Sequence, residues 1–207
     1  MKLLQRLFAV ALLVLSAQAL AEAQLGRDYK ELSPGQPTRS GDKIEVLEFF
    51  FYGCSHCYHL HPQLSAWEKK MPKDVDLQYV PVIFRDSWEP MARTFYAMEA
   101  MGQPRRLHDE LFNAWNVSNI VLDKEADILD FVAQRGVDRA KFSAAYNSFA
   151  LSSKINRSKQ MLQDYGIRGT PTLVVGGKYV ITGLTPEITI QVLNDVIAKV
   201  RKERSKH

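Results

Sequence analysis

The order of hydrophobic patterns predicts an α/β protein with an all-helical segment inserted between two parts of its sheet. Three observations carry this. Residues 44–84 read as strand, helix, strand. Residues 89–166 show only the 3.6-residue period of helices. Strand character returns at Thr172, turns at a Gly-Gly pair and ends in a last helix.

The elements follow in order. Lys2 and Arg6 precede an unbroken apolar run, Leu7 to Leu15, and alanines at A-x-A spacing follow it up to Ala23. That run is shorter than the ~20 residues a membrane span needs. The pattern is a secretory signal peptide, residues 1–23, cut after Ala21 or Ala23. Ile44 to Tyr52 reads as a strand buried on both faces, with Glu48 as the odd charge inside it. Gly53 ends it. A helix should follow, with Leu60, Leu64, Trp67 and Met71 on one stripe and Pro62 kinking it. Asp76 to Phe84 reads as a second strand, where Pro81 fits an edge or a bulge.

In the helical block the buried stripes are Met91, Phe95 and Met98; Leu107, Leu111 and Trp115; Ile128, Phe131 and Val132; and Phe142, Tyr146 and Phe149. Gly102, Gly136 and Gly166 sit at helix stops, Asp123 and Asp138 at N-caps. Thr172–Val175 and Lys178–Thr182 form a hairpin across Gly176-Gly177. Pro186 opens the last helix, which buries Ile190, Leu193, Ile197 and Val200.

The 46% apolar content supports a sizeable core. The net charge is only +4, and basic residues gather only in the tail after Lys199, which suits a helix C-terminus. Nucleic acid is not an expected partner.

"GCSHCYHLH", Gly53 to His61, holds the only two cysteines. A redox pair, half of a metal site and a structural staple are the three readings. Export places the thiols in an oxidising compartment. Cys54 and Cys57 enclose two residues, so a staple would restrain little chain. His59 and His61 would complete a four-ligand metal set, but residues two apart on a helix point in different directions. No metal is expected. Placed at the first turn of its helix, Cys54 faces unpaired N–H groups and the positive end of the dipole, which favour a thiolate. His56 can add a donor or a charge.

The succession of strand, C-x-x-C at a helix start, second strand, helical block, Thr170-Pro171, hairpin and helix resembles the thioredoxin fold with the insertion of the DsbA family. "VLEFF" (Val46–Phe50), "AYNSF" (Ala145–Phe149) and "GKY" (Gly177–Tyr179) are similar to that family too. The resemblance implies a mixed central sheet flanked by helices. Residues 24–84 and 159–207 would form the thioredoxin-like domain, and 85–158 the insertion. It also implies a periplasmic protein that oxidises thiols of unfolded exported proteins and is itself reoxidised by the quinone-linked membrane protein DsbB. The disulfide would be its only redox group, with no cofactor. Cys54 would be the nucleophile, Cys57 the buried resolving cysteine, and Pro171 a cis-proline whose loop receives the substrate.

The resemblance implies a low cysteine pKa joined to a high potential, for which this family is a known example. Stabilising the thiolate favours the reduced protein and so makes it a stronger oxidant. Ser55 stands where the best-known members carry proline, and Thr170 where they carry valine. Both bear on the potential and on substrate release. Glu48 stands at the family's buried acid, with a raised pKa beside Cys57. The family's lysine partner falls near Gln78. An isomerase or reductase of the same fold, encouraged by Thr170, is one alternative. A dimeric isomerase needs an N-terminal domain, for which the residues before Ile44 are too few, so a monomer is expected. A peptide-binding chaperone with incidental cysteines is the other alternative.

Overall fold

The computed structural model describes residues 22–205, so all but the last two positions of the expected signal peptide lie outside the described residues. Five strands form one mixed sheet in the order β1-β5-β4-β2-β3. They are β1 (Lys30–Glu31), β2 (Ile44–Phe50), β3 (Val75–Pro81), β4 (Thr172–Val175) and β5 (Tyr179–Thr182). β2 and β3 are parallel, and β4 is antiparallel to both β2 and β5. The helices are α1 (Ser55–Glu68), α2 (Glu89–Ala100), α3 (His108–Asn116), α4 (Glu125–Gln134), α5 (Arg139–Tyr146), α6 (Phe149–Asp164) and α7 (Pro186–Arg204).

β2 lies between β3 and β4, and each of its residues is buried. Alternation splits its side chains. Ile44, Val46 and Phe50 join the larger core beneath α1, α7 and the insertion. Leu47 and Phe49 join a smaller core with Leu162 and Tyr165. Glu48 shares the parity of the larger side and is therefore trapped in it.

Several expectations are corrected. Cys54 is the N-cap of α1, just before its first turn. The helix runs through Pro62 and stops at Glu68, leaving Met71 packed beyond its end. Asp123 caps nothing, because α4 begins after Lys124; Asp138 does cap α5, accepting from the Lys141 N–H. Phe149 is 87% exposed. The stripe from Phe142 is interrupted at Asn147-Ser148, and Ser148 caps a new helix that turns Phe149 outward. The expected boundary at 158 lies within α6, which is one continuous helix from Phe149 to Asp164. Ile190 is only half-buried, and the seat of α7 is Val192, Leu193, Val196, Ile197 and Val200. The two-residue β1 is too short to show a period.

Candidate active site

The site forms where β2 meets α1. Gly53 joins them because nothing larger fits: a Cβ there would stand 2.5 Å from the Phe51 ring and 2.8 Å from Trp115. Phe51 in turn stacks on Trp88 at 3.8 Å. Gly53→Ala is therefore expected to destabilise the fold by ~1–3 kcal/mol through overpacking. Chemical denaturation checks this, and an unchanged midpoint would mean the rings yield freely.

Cys54 leaves this turn extended and caps α1, with its sulfur 3.4 Å from the Cys57 backbone N–H. The two cysteines fall into opposite environments. Cys54 is half-buried, and its pKa drops from 9.0 to about 5. The Cys57 thiol donates the largest share of that stabilisation, followed by the Thr170 side chain and the N–H groups of Cys57 and His56. Cys57 is 0% exposed, and burial pushes its thiol well up. The N-cap position, rather than a first-turn position, points those N–H groups at the sulfur. His56 contributes its backbone to the sulfur, while its imidazole is solvent-exposed at the rim. Ser55 is exposed as the first residue of α1.

The Thr170–Pro171 bond is cis, and the Thr170 carbonyl accepts from the Cys54 Sγ–H at 3.3 Å. A groove of about 580 Å³ opens beside it, lined in part by His56, Leu60, Thr170, Pro171, Leu184 and Pro186. It is a mostly apolar trough, and Thr170 on its wall is the residue whose carbonyl meets the Cys54 sulfur.

Glu48 is 2% exposed, and one carboxylate oxygen has no hydrogen-bond partner. Burial raises its pKa to about 8 against the pull of Arg105. Gln78 does not face it. Across the parallel ladder Gln78 pairs with Leu47, and its amide binds Asp76 at 2.7 Å and Ser40 at 3.1 Å. Tyr79 is the residue opposite Glu48.

The four-residue metal set is not assembled. His59 is exposed, whereas His61 is buried against Phe112 and hydrogen-bonds Asp109. Among the described residues no three His, Cys, Asp or Glu side chains cluster closely enough to hold an ion. Sequence reasoning missed Tyr79, Glu68, Arg105 and the ring pair His61–His108. Only Tyr79 left a signal, since pairing the two strands in register puts it across from Glu48.

Known proteins share this arrangement. Residues 72–193 match the family described as a DSBA-like thioredoxin domain, a stretch that begins after the cysteine pair. Full-length relatives extend the likeness across it. The chain is 38% identical to thiol:disulfide interchange protein DsbA of Burkholderia cepacia, over 97% of this chain and 100% of that protein. It is 34% identical to the Pseudomonas aeruginosa protein of that name, over 99% of this chain and 98% of the other. The crystal structure of Pseudomonas aeruginosa DsbA superimposes with a TM-score of 0.85 at 34% identity, covering 90% of this chain and 98% of that one. NmDsbA1 of Neisseria meningitidis gives 0.81 at 29% identity, covering 89% and 97%.

Proposed function

The chain belongs to the DsbA family of thiol:disulfide oxidoreductases, and on that premise we propose that it donates a Cys54–Cys57 disulfide to thiols of newly exported proteins. One observation carries the assignment of roles. Two cysteines three positions apart are driven in opposite directions, one toward thiolate at half exposure and one toward thiol at full burial.

The chemistry follows. A substrate thiolate in the groove attacks the Sγ of Cys54. The Cys54–Cys57 bond breaks, and Cys57 leaves as a thiolate in surroundings that favour its thiol. Protonated Glu48 supplies the proton. A second substrate thiolate then attacks the substrate sulfur of the mixed disulfide, and Cys54 leaves as its stabilised thiolate. The substrate loses two electrons and gains a disulfide; the enzyme gains two electrons and ends reduced, with Cys54 a thiolate, Cys57 a thiol and Glu48 a carboxylate until it regains a proton from water. Pro171 and Thr170 hold the substrate strand against the sulfur. Ser55 and His56, at the start of α1, tune the potential. The dithiol is returned to the disulfide by a quinone-linked membrane protein of the DsbB kind. The signal-peptide pattern read in the sequence of residues 1–23 supports a periplasmic location.

A glutathione redox titration tests this reading. The potential is expected well above the ~−270 mV of thioredoxin. A value at or below that would assign the pair to reduction.

A further inference from the structure

Glu48 must both give up and regain a proton, yet a carboxylate in an apolar core is costly unless a positive charge lies within reach. The groups around it are these. Tyr79 stands opposite on β3, Leu173 opposite on β4, and the buried Tyr52, just after β2, lies within reach of its charge. Cys57 and Glu68 come from α1, and the Cys54 sulfur from its start. His108, on α3, packs edge-on against Tyr79, with ring centres 5.1 Å apart, and burial holds it neutral. None of them carries a positive charge at neutral pH.

We propose that Arg105, in the loop before α3, is a positioning residue that keeps the Glu48 carboxylate accessible during thiol exchange. Its guanidinium lies 3.8 Å from the centre of the Tyr79 ring. Its Nη2 donates to Glu68 Oε1 at 2.6 Å. The Tyr79 hydroxyl donates to the other oxygen of Glu68 at 3.2 Å. Each of the three side chains therefore fixes the other two, and the guanidinium cannot swing away without losing both a cation–π contact and a charge-assisted bond. The stack sets the positive charge over the ring that is itself opposite Glu48. Arg105 also lines a cleft of about 340 Å³ open to solvent, so the charge keeps part of its hydration. Its influence is broad: it opposes the effect of burial on Tyr52 and Tyr79 and adds to it at His108. It is absent from the causes that set Cys54.

The inference rests on the reading that Glu48 serves Cys57, and its test separates the two. The side-chain carbon of Glu48 is followed by NMR against pH in the reduced full-length mature protein and in Arg105→Met, which keeps the stem over Tyr79. The midpoint is expected to rise by about one pH unit, a tenfold change in the ionised fraction near neutrality. Arg105→Lys should recover most of it. The Cys54 thiolate titration, read by ultraviolet absorbance, should stay in place. An unmoved Glu48 midpoint, or one that Arg105→Lys fails to restore, overturns the role of Arg105. The pH profile of Cys57 attack on a Cys54–glutathione mixed disulfide is measured beside it. It should shift with the Glu48 midpoint in Arg105→Met and lose that inflection in Glu48→Gln. An inflection that survives in Glu48→Gln while the NMR midpoint still moves leaves Arg105 acting on Glu48 and overturns the role of Glu48 itself.

Discussion

Reduced Cys57→Ala protein mixed with a disulfide-bonded peptide is expected to accumulate as a mixed disulfide through Cys54. The Cys54 thiolate attacks one sulfur of the peptide's disulfide, that S–S bond breaks, one peptide sulfur stays on the enzyme and the other leaves as a thiolate. In the native protein the Cys57 thiol, buried beneath and hydrogen-bonded to Cys54, attacks the Cys54 sulfur and frees the peptide. Without it, release waits for an external thiol. Intramolecular attack has an effective molarity of ~10⁵ M or more when well oriented, so clearance by millimolar thiol should slow by at least ~10³-fold. Mass spectrometry of the quenched mixture reads the adduct. The converse variant, Cys54→Ala, should form none, because Cys57 is sealed from solvent and held as a thiol. Adducts on Cys57 in that variant, with none on Cys54 in the first, would reverse the two roles.

Why the pair could be located in the sequence while its supporting charges could not is a matter of range. The β2 run, Gly53 and the cap at Cys54 are local, and local patterns fix where a strand ends and a helix starts. Glu48 is legible because a charge in a doubly buried strand must be explained wherever the rest of the chain goes. Arg105 offers no such conflict. It lies in a loop without period, and its contact with Tyr79 depends on the insertion folding back over the edge of the sheet. The sequence offers His61 only as a possible ligand beside His59. It is buried because α3 brings His108 and Phe112 against that face of α1, with ring centres at 4.8 and 4.9 Å. The misplaced Phe149 has the opposite cause. A helical stripe was extended across Asn147-Ser148, and one capping serine breaks the phase. The proline at the groove was found by resemblance, since nothing in the local pattern says that residues more than a hundred positions apart meet at one sulfur.

The reduced and oxidised proteins are expected to exchange their order of thermal stability between pH 5 and pH 8. Two effects compete. The bridge restrains the unfolded chain, which favours the oxidised fold by ~1–2 kcal/mol for so short a loop, at every pH. Against this, Cys54 titrates at about 5 in the reduced fold and at 9.0 in an unfolded chain. A depressed folded pKa contributes stability that is full above the unfolded value, declines as pH falls, and is gone below the folded value. Each pH step between those limits is worth ~1.4 kcal/mol before screening. The sulfur is open to water on one side, and screening there removes about half. At pH 5 the linkage is spent, so the bridge decides and the oxidised form melts higher. At pH 8 the screened linkage, ~2 kcal/mol, overtakes the bridge and the reduced form melts higher. A difference of ~1 kcal/mol corresponds to about 2–4 °C for a chain of this size. Cys57 does not disturb the comparison below pH 9, since its raised pKa matters only where the unfolded thiol ionises. Glu48, raised to about 8 chiefly by burial, removes stability as pH climbs from 4.5; burial acts in both redox states, and only the smaller contribution of the Cys54 charge is confined to the reduced one. The measurement is a pair of calorimetric melts at each pH, with and without excess reductant. A gap that keeps one size and one sign from pH 5 to pH 8 would show that folding does not stabilise the Cys54 thiolate, and with that the physical basis for a strongly oxidising pair would be lost.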